Sequence, residues 1–532
     1  MCTRMKNYSS CGRELRDDAA VCRFCEPHQT DANAALHQSA LPVSLEEDSL
    51  PTPMVSSNWL IIGEWVAIGL LIVSVFIWKS SYIGKQLVPI WDGDVYLLDA
   101  HDLLTGHQLY EWFRPLLMPG IIAAVWSLIG ENYLPVRFFN LAFTLATVLV
   151  FYLLTRSQFG RLMSLLAAIV YLSSYEILLL SDQLVVHGLT SLFAILTIAM
   201  FSKSTPSRSV LGGAFAALSC LARYTSVAIA FPIIAAYAIR VRGRPKLIAS
   251  TALGTCVPLL LYHLAFPFVF PNFLQIWFVY GEKAAITLPY YYYFTNWYHL
   301  FGIVGLFCLP ALLLPSTYKS NSSRPWAFWL IGSMIFFTIT FNKQDRFTFE
   351  WTPAVVYLSF LFLIRIKNRL NSGHHGKTWM PRSRSLPNLI FGAVLVCLVM
   401  LQAYVSVGAY LQLVQSPGYY RYIGADNNLL TVADYLRTHI PTNATFMSDY
   451  DAPALTYFSS RYGFDLEVHT SDSGFLEYLQ SYMRSTNTRY LLVFPSITGN
   501  SINVLENSGF LALADTIQVT SIGPVYVFIS TT

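Results

Sequence analysis

Residues 92–107 hold four aspartates and two histidines: Asp92, Asp94, Asp99, His101, Asp102 and His107. They follow shortly after an apolar run, Trp59–Trp78. Acidic side chains cannot face lipid cheaply, so they line a wet cavity or an interface. A carboxylate in a partly dehydrated cavity can take a proton from an acceptor hydroxyl, which is general-base chemistry. The same spacing also suits a solvated helix with a charged face, and spacing alone does not choose between the two. Cations able to answer a phosphate stand at Arg137, Arg223, Lys343 and Arg346. Arginine offers a planar fork matched to phosphate oxygens; each arginine could instead anchor a membrane interface. Asp182 is a further acidic candidate, with a helix-end cap as the alternative, and His187 reads as a helix-packing histidine.

Hydropathy defines the elements that must position these residues. The chain has 532 residues, 54% hydrophobic and 12% charged, with mean hydropathy +0.47. Soluble domains carry about 25% charged residues. Half that fraction leaves too little polar surface for a water-soluble body, so an α-helical polytopic membrane protein is expected. About 20 helical residues cross a hydrocarbon core. Spans are predicted at 59–78, 138–155, 162–180, 184–201, 209–222, 226–239, 247–265, 298–314, 326–341, 352–366 and 389–411, eleven in all. Leu116–Ile129 is apolar but short and reads as an interfacial or re-entrant helix. The first span, preceded by polar residues, is expected to act as a signal anchor. The net charge of +4 leaves no nucleic-acid footprint.

Lys and Arg of short loops mark the cytoplasmic side. Arg156/Arg161, Lys203/Arg208, Arg240–Lys246, Lys319/Arg324 and the stretch Arg365–Arg384 fall in alternate loops. The N-terminus is then cytoplasmic, and the C-terminus and the first loop, 79–137, are extracytoplasmic, at a cell (plasma) membrane. Lys79, Lys85, Arg114 and Arg137 break this bias, and charges on the wrong side often have a task. Residues 1–30 form a small polar head, 31–57 a flexible Ser/Pro/acidic linker, 58–411 the membrane domain, and 412–532 a C-terminal extracytoplasmic α/β domain. In that last region helices are predicted at Leu429–His439 and Gly474–Ser485, with strands at Ala444–Met447, Tyr490–Phe494 and Gly523–Ser530. It has no cysteine, so it is not a disulfide scaffold. Asn443-Ala444-Thr445 is a glycosylation sequon on the predicted outer side, and Tyr290–Tyr293 with Trp297 reads as an interfacial aromatic belt.

The first outer loop carries Asp92-Gly-Asp-Val-Tyr96, then Ala100-His-Asp-Leu-Leu-Thr-Gly106, Tyr110 and Arg114-Pro115-Leu116. This resembles the first luminal loop of the C-type (GT-C) membrane glycosyltransferases, in particular the protein O-mannosyltransferase, aminoarabinose transferase and rhizobial lipid-A glycosyltransferase families. Their usual Asp-Glu-x-x-Tyr has Gly93 in the Glu position here, which leaves Asp94 as a rival to Asp92. Arg137 opens the next span, as an Arg often does in the group, and Asp182 stands where a second Asp commonly lies. Leu211–Arg223 and Lys343-Gln-Asp-Arg346-Phe347 with Pro353 resemble further family segments; Glu350 stands where a Pro is usual. The resemblance covers roughly 58–411. It implies transfer of a sugar from a polyprenyl- or dolichyl-phosphate carrier to a hydroxyl of a glycan, lipid or protein acceptor. Asp92 would be the base and Arg137, Arg223, Arg346 and Lys343 would receive the donor phosphate. No cofactor is expected for the transfer itself. A membrane transporter or lipid-carrier flippase is the alternative, although the acidic residues cluster at one face rather than in mid-span.

The head, Cys11-Gly-Arg-Glu-Leu-Arg-Asp-Asp-Ala-Ala-Val-Cys22-Arg-Phe-Cys25, resembles a zinc ribbon. Four thiolates close a tetrahedral zinc site. Tyr8 stands where one cysteine is usual, so Cys2, or His28, would join Cys11, Cys22 and Cys25 as the fourth ligand of a structural zinc. The alternative is a ribbon that no longer holds metal.

Overall fold

The computed structural model describes residues 58–111, 113–269, 271, 274, 288–340, 343–372, 385–416, 426–466, 468, 470–520 and 522–531. The cysteine-bearing head and linker, with Cys2, Cys11, Cys22 and Cys25, lie outside the described residues.

The described residues between Asn58 and Gln415 are mainly helical. Its helices are α1 (Asn58–Ile83), α2 (Trp91–Thr105), α3 (Leu117–Ile129), α4 (Phe139–Phe159), α5 (Arg161–Leu172), α6 (Tyr175–Leu180), α7 (His187–Phe201), α8 (Pro206–Ala222) and α9 (Val227–Arg240). There follow α10 (Pro245–Ala265), α11 (Trp297–Gly305), α12 (Cys308–Leu313), α13 (Arg324–Ile339), α14 (Thr352–Ser372) and α15 (Ser385–Gln415). Among the described residues four segments, Ile61–Ile83, Tyr133–Phe159, Pro245–Ala265 and Asn388–Gln415, are long and apolar enough to cross a membrane. Every predicted span falls on helix, but two of them are broken. The run 162–180 splits into α5 and α6 at Ser173–Ser174, whose hydroxyls turn back to the Val170 carbonyl. The run 298–314 divides into α11 and α12, and α11 itself is interrupted at Gly302, which lies in the left-handed region at φ 68°. There the buried Gln402 amide inserts from α15, accepting from Val304 N at 2.8 Å and donating to Phe301 O at 3.1 Å. A side chain inserted into the helical ladder is a recognised cause of a kink.

A core of Trp, Tyr and Phe binds the bundle. Trp326 stacks between Trp329 and Tyr357 at centroid distances of 5.7 and 4.6 Å. Of its described side chains helix α1 buries only Ile68, Lys79 and Ile83, and it is fixed by ion pairs near its two ends. Glu64 joins Arg156 and Arg161 at one end, and Lys79 meets Asp182 at 3.3 Å at the other. Charges on a lipid-length helix are kept only when they face the bundle and are matched.

The C-terminal region is a mixed five-stranded sheet in the order β2-β1-β3-β5-β4. Its strands are β1 (Phe446–Ser448), β2 (Gly463–Asp465), β3 (Tyr490–Val493), β4 (Leu511–Val519) and β5 (Gly523–Ser530). Strand β1 runs parallel to β2 and β3, and β5 is antiparallel to β3 and β4. Helices α16 (Leu429–His439), α17 (Ala452–Ser459) and α18 (Phe475–Ser485) cover it. This region packs on the first outer loop. Val88 is fully buried in its core beside Leu429, Val432 and Phe494. The Asn427 carboxamide accepts from Leu87 N at 2.6 Å and donates to Lys85 O at 2.7 Å. Helix α17 lies along α2.

Candidate active site

Asp92 sits in the first turn of α2. Gly106 ends that helix in the left-handed region, at φ 73°, a conformation that glycine adopts without a Cβ clash. The chain turns back there along α2. Glu111 N donates to Asp99 Oδ1 at 3.1 Å, and Glu111 in turn pairs with Arg114. The return delivers Arg114 to Asp92, Nη1 to Oδ1 at 2.7 Å. From the far end of the sequence, the 3₁₀ turn Asp345–Glu350 brings Arg346 Nη1 to Asp92 Oδ2, also at 2.7 Å. Both carboxylate oxygens are thus engaged by guanidinium groups, while 14% of the side chain remains exposed. Burial alone would raise the Asp92 pKa. Arg346 and then Arg114 outweigh it and hold the carboxyl well below the usual range.

Arg223 completes a cluster of three arginines. It follows the end of α8 in extended conformation and lies over the Phe347 ring at 4.7 Å. Its Nη1 donates to Glu350 Oε1 at 2.6 Å and lies 2.7 Å from His187 Nδ1. His187 Nδ1 is also 2.9 Å from Glu350 Oε1. Glu350 is fully buried. Burial would raise its carboxyl, but the Arg223 guanidinium prevails and keeps it below the ordinary value. The result is one carboxylate at the rim of the bundle, faced by cations from the first loop, the end of α8 and the 3₁₀ turn. Such a cluster offers a proton acceptor in its carboxylate and an anion site in its guanidinium groups.

A family model described as dolichyl-phosphate-mannose-protein mannosyltransferase matches residues 114–274. It begins on Arg114 and includes Arg137, Asp182, His187 and Arg223, but not Asp92 or Arg346. No curated protein matches the chain by sequence. Among solved structures the chain is similar to ArnT from Cupriavidus metallidurans bound to undecaprenyl phosphate. The TM-score is 0.58 at 11% identity, over 90% of this chain and 99% of that one. It is also similar to the archaeal oligosaccharyltransferase AglB from Archaeoglobus fulgidus, in complex with an inhibitory peptide and a dolichol-phosphate. There the TM-score is 0.52 at 13% identity, over 80% of this chain and 69% of that one. The chain shares the fold of these two solved structures.

Within this fold, the predicted residues Asp92, Arg223 and Arg346 come together, and the others lie apart from them. Asp182 is held by Lys79 at 3.3 Å and by the Tyr410 hydroxyl at 3.1 Å, so it closes a lock between α1, the segment after α6, and α15. Lys343 donates to Thr340 O at 2.8 Å. Arg137 is buried, donates Nη1 to Leu87 O at 3.3 Å and faces Asp94. Asp94 is fully buried with neither oxygen partnered among the described residues. Burial and then the neighbouring Asp451 carboxyl push its pKa well up. Gly93 has a steric explanation. A Cβ there would meet Pro89 Cβ at 2.7 Å and the Leu184 carbonyl oxygen at 2.9 Å, so a glutamate side chain has no room.

Two residues of the site were missed by the sequence reading of roles, Arg114 and Glu350. Arg114 did carry a signal. Of the four cations that break the charge bias, Lys79 and Arg114 pair with Asp182 and Asp92, and Arg137 faces Asp94.

Proposed function

We propose that this chain is a membrane glycosyltransferase that moves a sugar from a polyprenyl- or dolichyl-phosphate carrier to an acceptor hydroxyl at the extracytoplasmic face. The observation that carries the reading is Asp92, partly exposed, with each oxygen on a different arginine. Arg346 and Arg114 belong with the anion of the donor, because negative charge builds on the lipid phosphate as the glycosidic bond breaks. When the donor phosphate competes for these guanidinium groups, Asp92 loses partners that suppress its basicity. Its pKa then rises toward the range in which a carboxylate is an effective base. The acceptor oxygen attacks the anomeric carbon, the carbon–oxygen bond to phosphate breaks, and the hydroxyl proton passes to Asp92. Arg223, anchored by Glu350, supports the departing phosphate from the other side. The acceptor is a glycan, a lipid or a protein hydroxyl.

The test is Asp92→Asn in membranes supplied with a panel of polyprenyl-phosphate sugars. Loss of a general base lowers turnover about 10²–10⁴-fold. Binding of bare lipid phosphate should be unchanged or tighter, because two arginines lose their competitor. Full activity in Asp92→Asn, or loss of activity in Asp94→Asn alone, would refute this assignment. The reading includes eleven spans, a cytoplasmic N-terminus and an extracytoplasmic C-terminus in the plasma membrane, supported by the alternation of basic loops. It also includes a structural zinc on Cys11, Cys22, Cys25 and Cys2, supported by the ribbon-like spacing and remote from the transfer chemistry. A transporter or flippase would lose lipid movement rather than transfer on the same substitution.

A further inference from the structure

Beside the Asp92 cluster lies a polar group that the transfer step leaves unused. Glu176, in the first turn of α6, is 2% exposed, and neither carboxyl oxygen has a hydrogen-bond partner among the described residues. Buried polar atoms are nearly always satisfied, so an orphaned carboxyl points to a partner that arrives from outside. Helix α6 packs on the 3₁₀ turn Asp345–Glu350, and the charges of Asp345 and Arg346 act on Glu176. Arg346 gives Nη1 to Asp92, while its Nε is buried without a partner among the described residues. Arg346 therefore borders both groups, the Asp92 cluster and the Glu176 region. Around Glu176 and Asp345 stand hydrogen-bonding rings. Tyr292 donates its hydroxyl to Asp345, and the Tyr175 ring lies 5.3 Å from that of the exposed His299.

Two carboxyls do not make a metal cage, and among the described residues no group of three or more His, Cys, Asp or Glu could hold a metal ion. Carboxyl acceptors beside phenol and imidazole edges instead suit a ring rich in hydroxyls. Building on the glycosyltransferase reading, we propose that Glu176 and Asp345, walled by Tyr175, Tyr292 and His299, form the subsite for the sugar of the lipid-linked donor. Glu176 accepts hydrogen bonds from the sugar hydroxyls. The sugar is joined to the phosphate through its anomeric carbon, so its subsite must adjoin the phosphate site. Arg346 supplies that adjacency.

The experiment uses the full-length protein in proteoliposomes, with the polyprenyl-phosphate sugar that the wild type turns over and with bare polyprenyl phosphate. Glu176→Gln should raise KM for the sugar-bearing lipid roughly 10- to 100-fold, the effect of losing one or two hydrogen bonds at a buried polar group. Bare lipid phosphate should bind as it does to the wild type, which also reports correct folding. Asp345→Asn, at a half-buried position, should give the same pattern with a smaller amplitude. If both lipids weaken equally, Glu176 merely supports Arg346 and the subsite is refuted; no change in either variant refutes it as well. A wild type that ignores bare lipid phosphate would overturn the parent reading, and this subsite with it, in a distinguishable way.

Discussion

Glu350 occupies a position where the resembling families carry proline, and here it anchors an arginine. Its Oε1 receives Arg223 at 2.6 Å and lies 2.9 Å from His187, with no exposed surface. Removing one member of a buried charged pair leaves the other uncompensated and typically costs about 3–5 kcal/mol. Glu350→Gln keeps the volume but frees Arg223 to rotate over Phe347. Its KM for the lipid donor should rise about tenfold with a smaller change in kcat, because Asp92 and Arg346 are left in position. Steady-state kinetics on both lipid and acceptor check this; an unchanged donor KM would mean that Arg223 has no part in donor binding. Asp94 carries the opposite lesson. On spacing it rivals Asp92, but its side chain points into the protein against Asp451 and Arg137 rather than toward the arginine cluster.

At the scale of elements, the junction between α2 and the C-terminal sheet domain is held by apolar contacts around a buried pair of acids. Asp94 comes from α2 and Asp451 from the start of α17. Burial pushes Asp451 up to about 8, and burial with Asp451 pushes Asp94 up as well. The sign follows from linkage. A carboxyl whose folded pKa is raised keeps its proton while the unfolded chain has lost its own. The stabilisation is fully present below about pH 4, the ordinary carboxylate range, and is lost as pH rises through the folded values. The purified protein should therefore melt at lower temperature as pH rises from about 5 to 8. Asp451→Asn should flatten that dependence and raise Tm near pH 8, with transfer largely retained. Thermal melts across this range decide the matter; an unchanged slope would show that the pair does not control docking.

At the scale of the whole molecule, the alternation of basic loops sets an expected orientation, and the ribbon-like head an expected metal. Engineered cysteines within 426–531 should be labelled from outside intact cells, and those in 370–385 should not. Labelling of the second set would invert the orientation and put the Asp92 cluster on the wrong side for a lipid-linked donor. Deleting residues 1–50 should remove bound zinc and leave transfer within about twofold, because the head precedes α1 and the reaction belongs to its opposite end. Zinc retained after that deletion would place the metal elsewhere.

Hydropathy by itself determined the helical membrane character, because lipid forces apolar runs of a fixed minimum length. It located helices on every predicted span. Helical periodicity located α16 and α18, and short apolar runs located β3 and β5. Strand β4 escaped because it lies at the sheet edge, with exposed residues on both faces that blur the alternation. The breaks at Ser173–Ser174 and Gly302 escaped because they depend on hydrogen bonds; the partner at Gly302, Gln402, is about a hundred residues away. Asp92, Arg223 and Arg346 were legible as chemistry-bearing residues in suggestive segments, but their meeting was not. A sequence gives residue types and local spacing, whereas an ion pair across 254 positions exists only once the bundle has closed. The separation of Asp92 from Asp94 was likewise a tertiary decision. Two side chains two residues apart on a helix point to different faces. Only packing against Leu184 and the C-terminal domain decided which face meets the arginines and which is buried against Asp451.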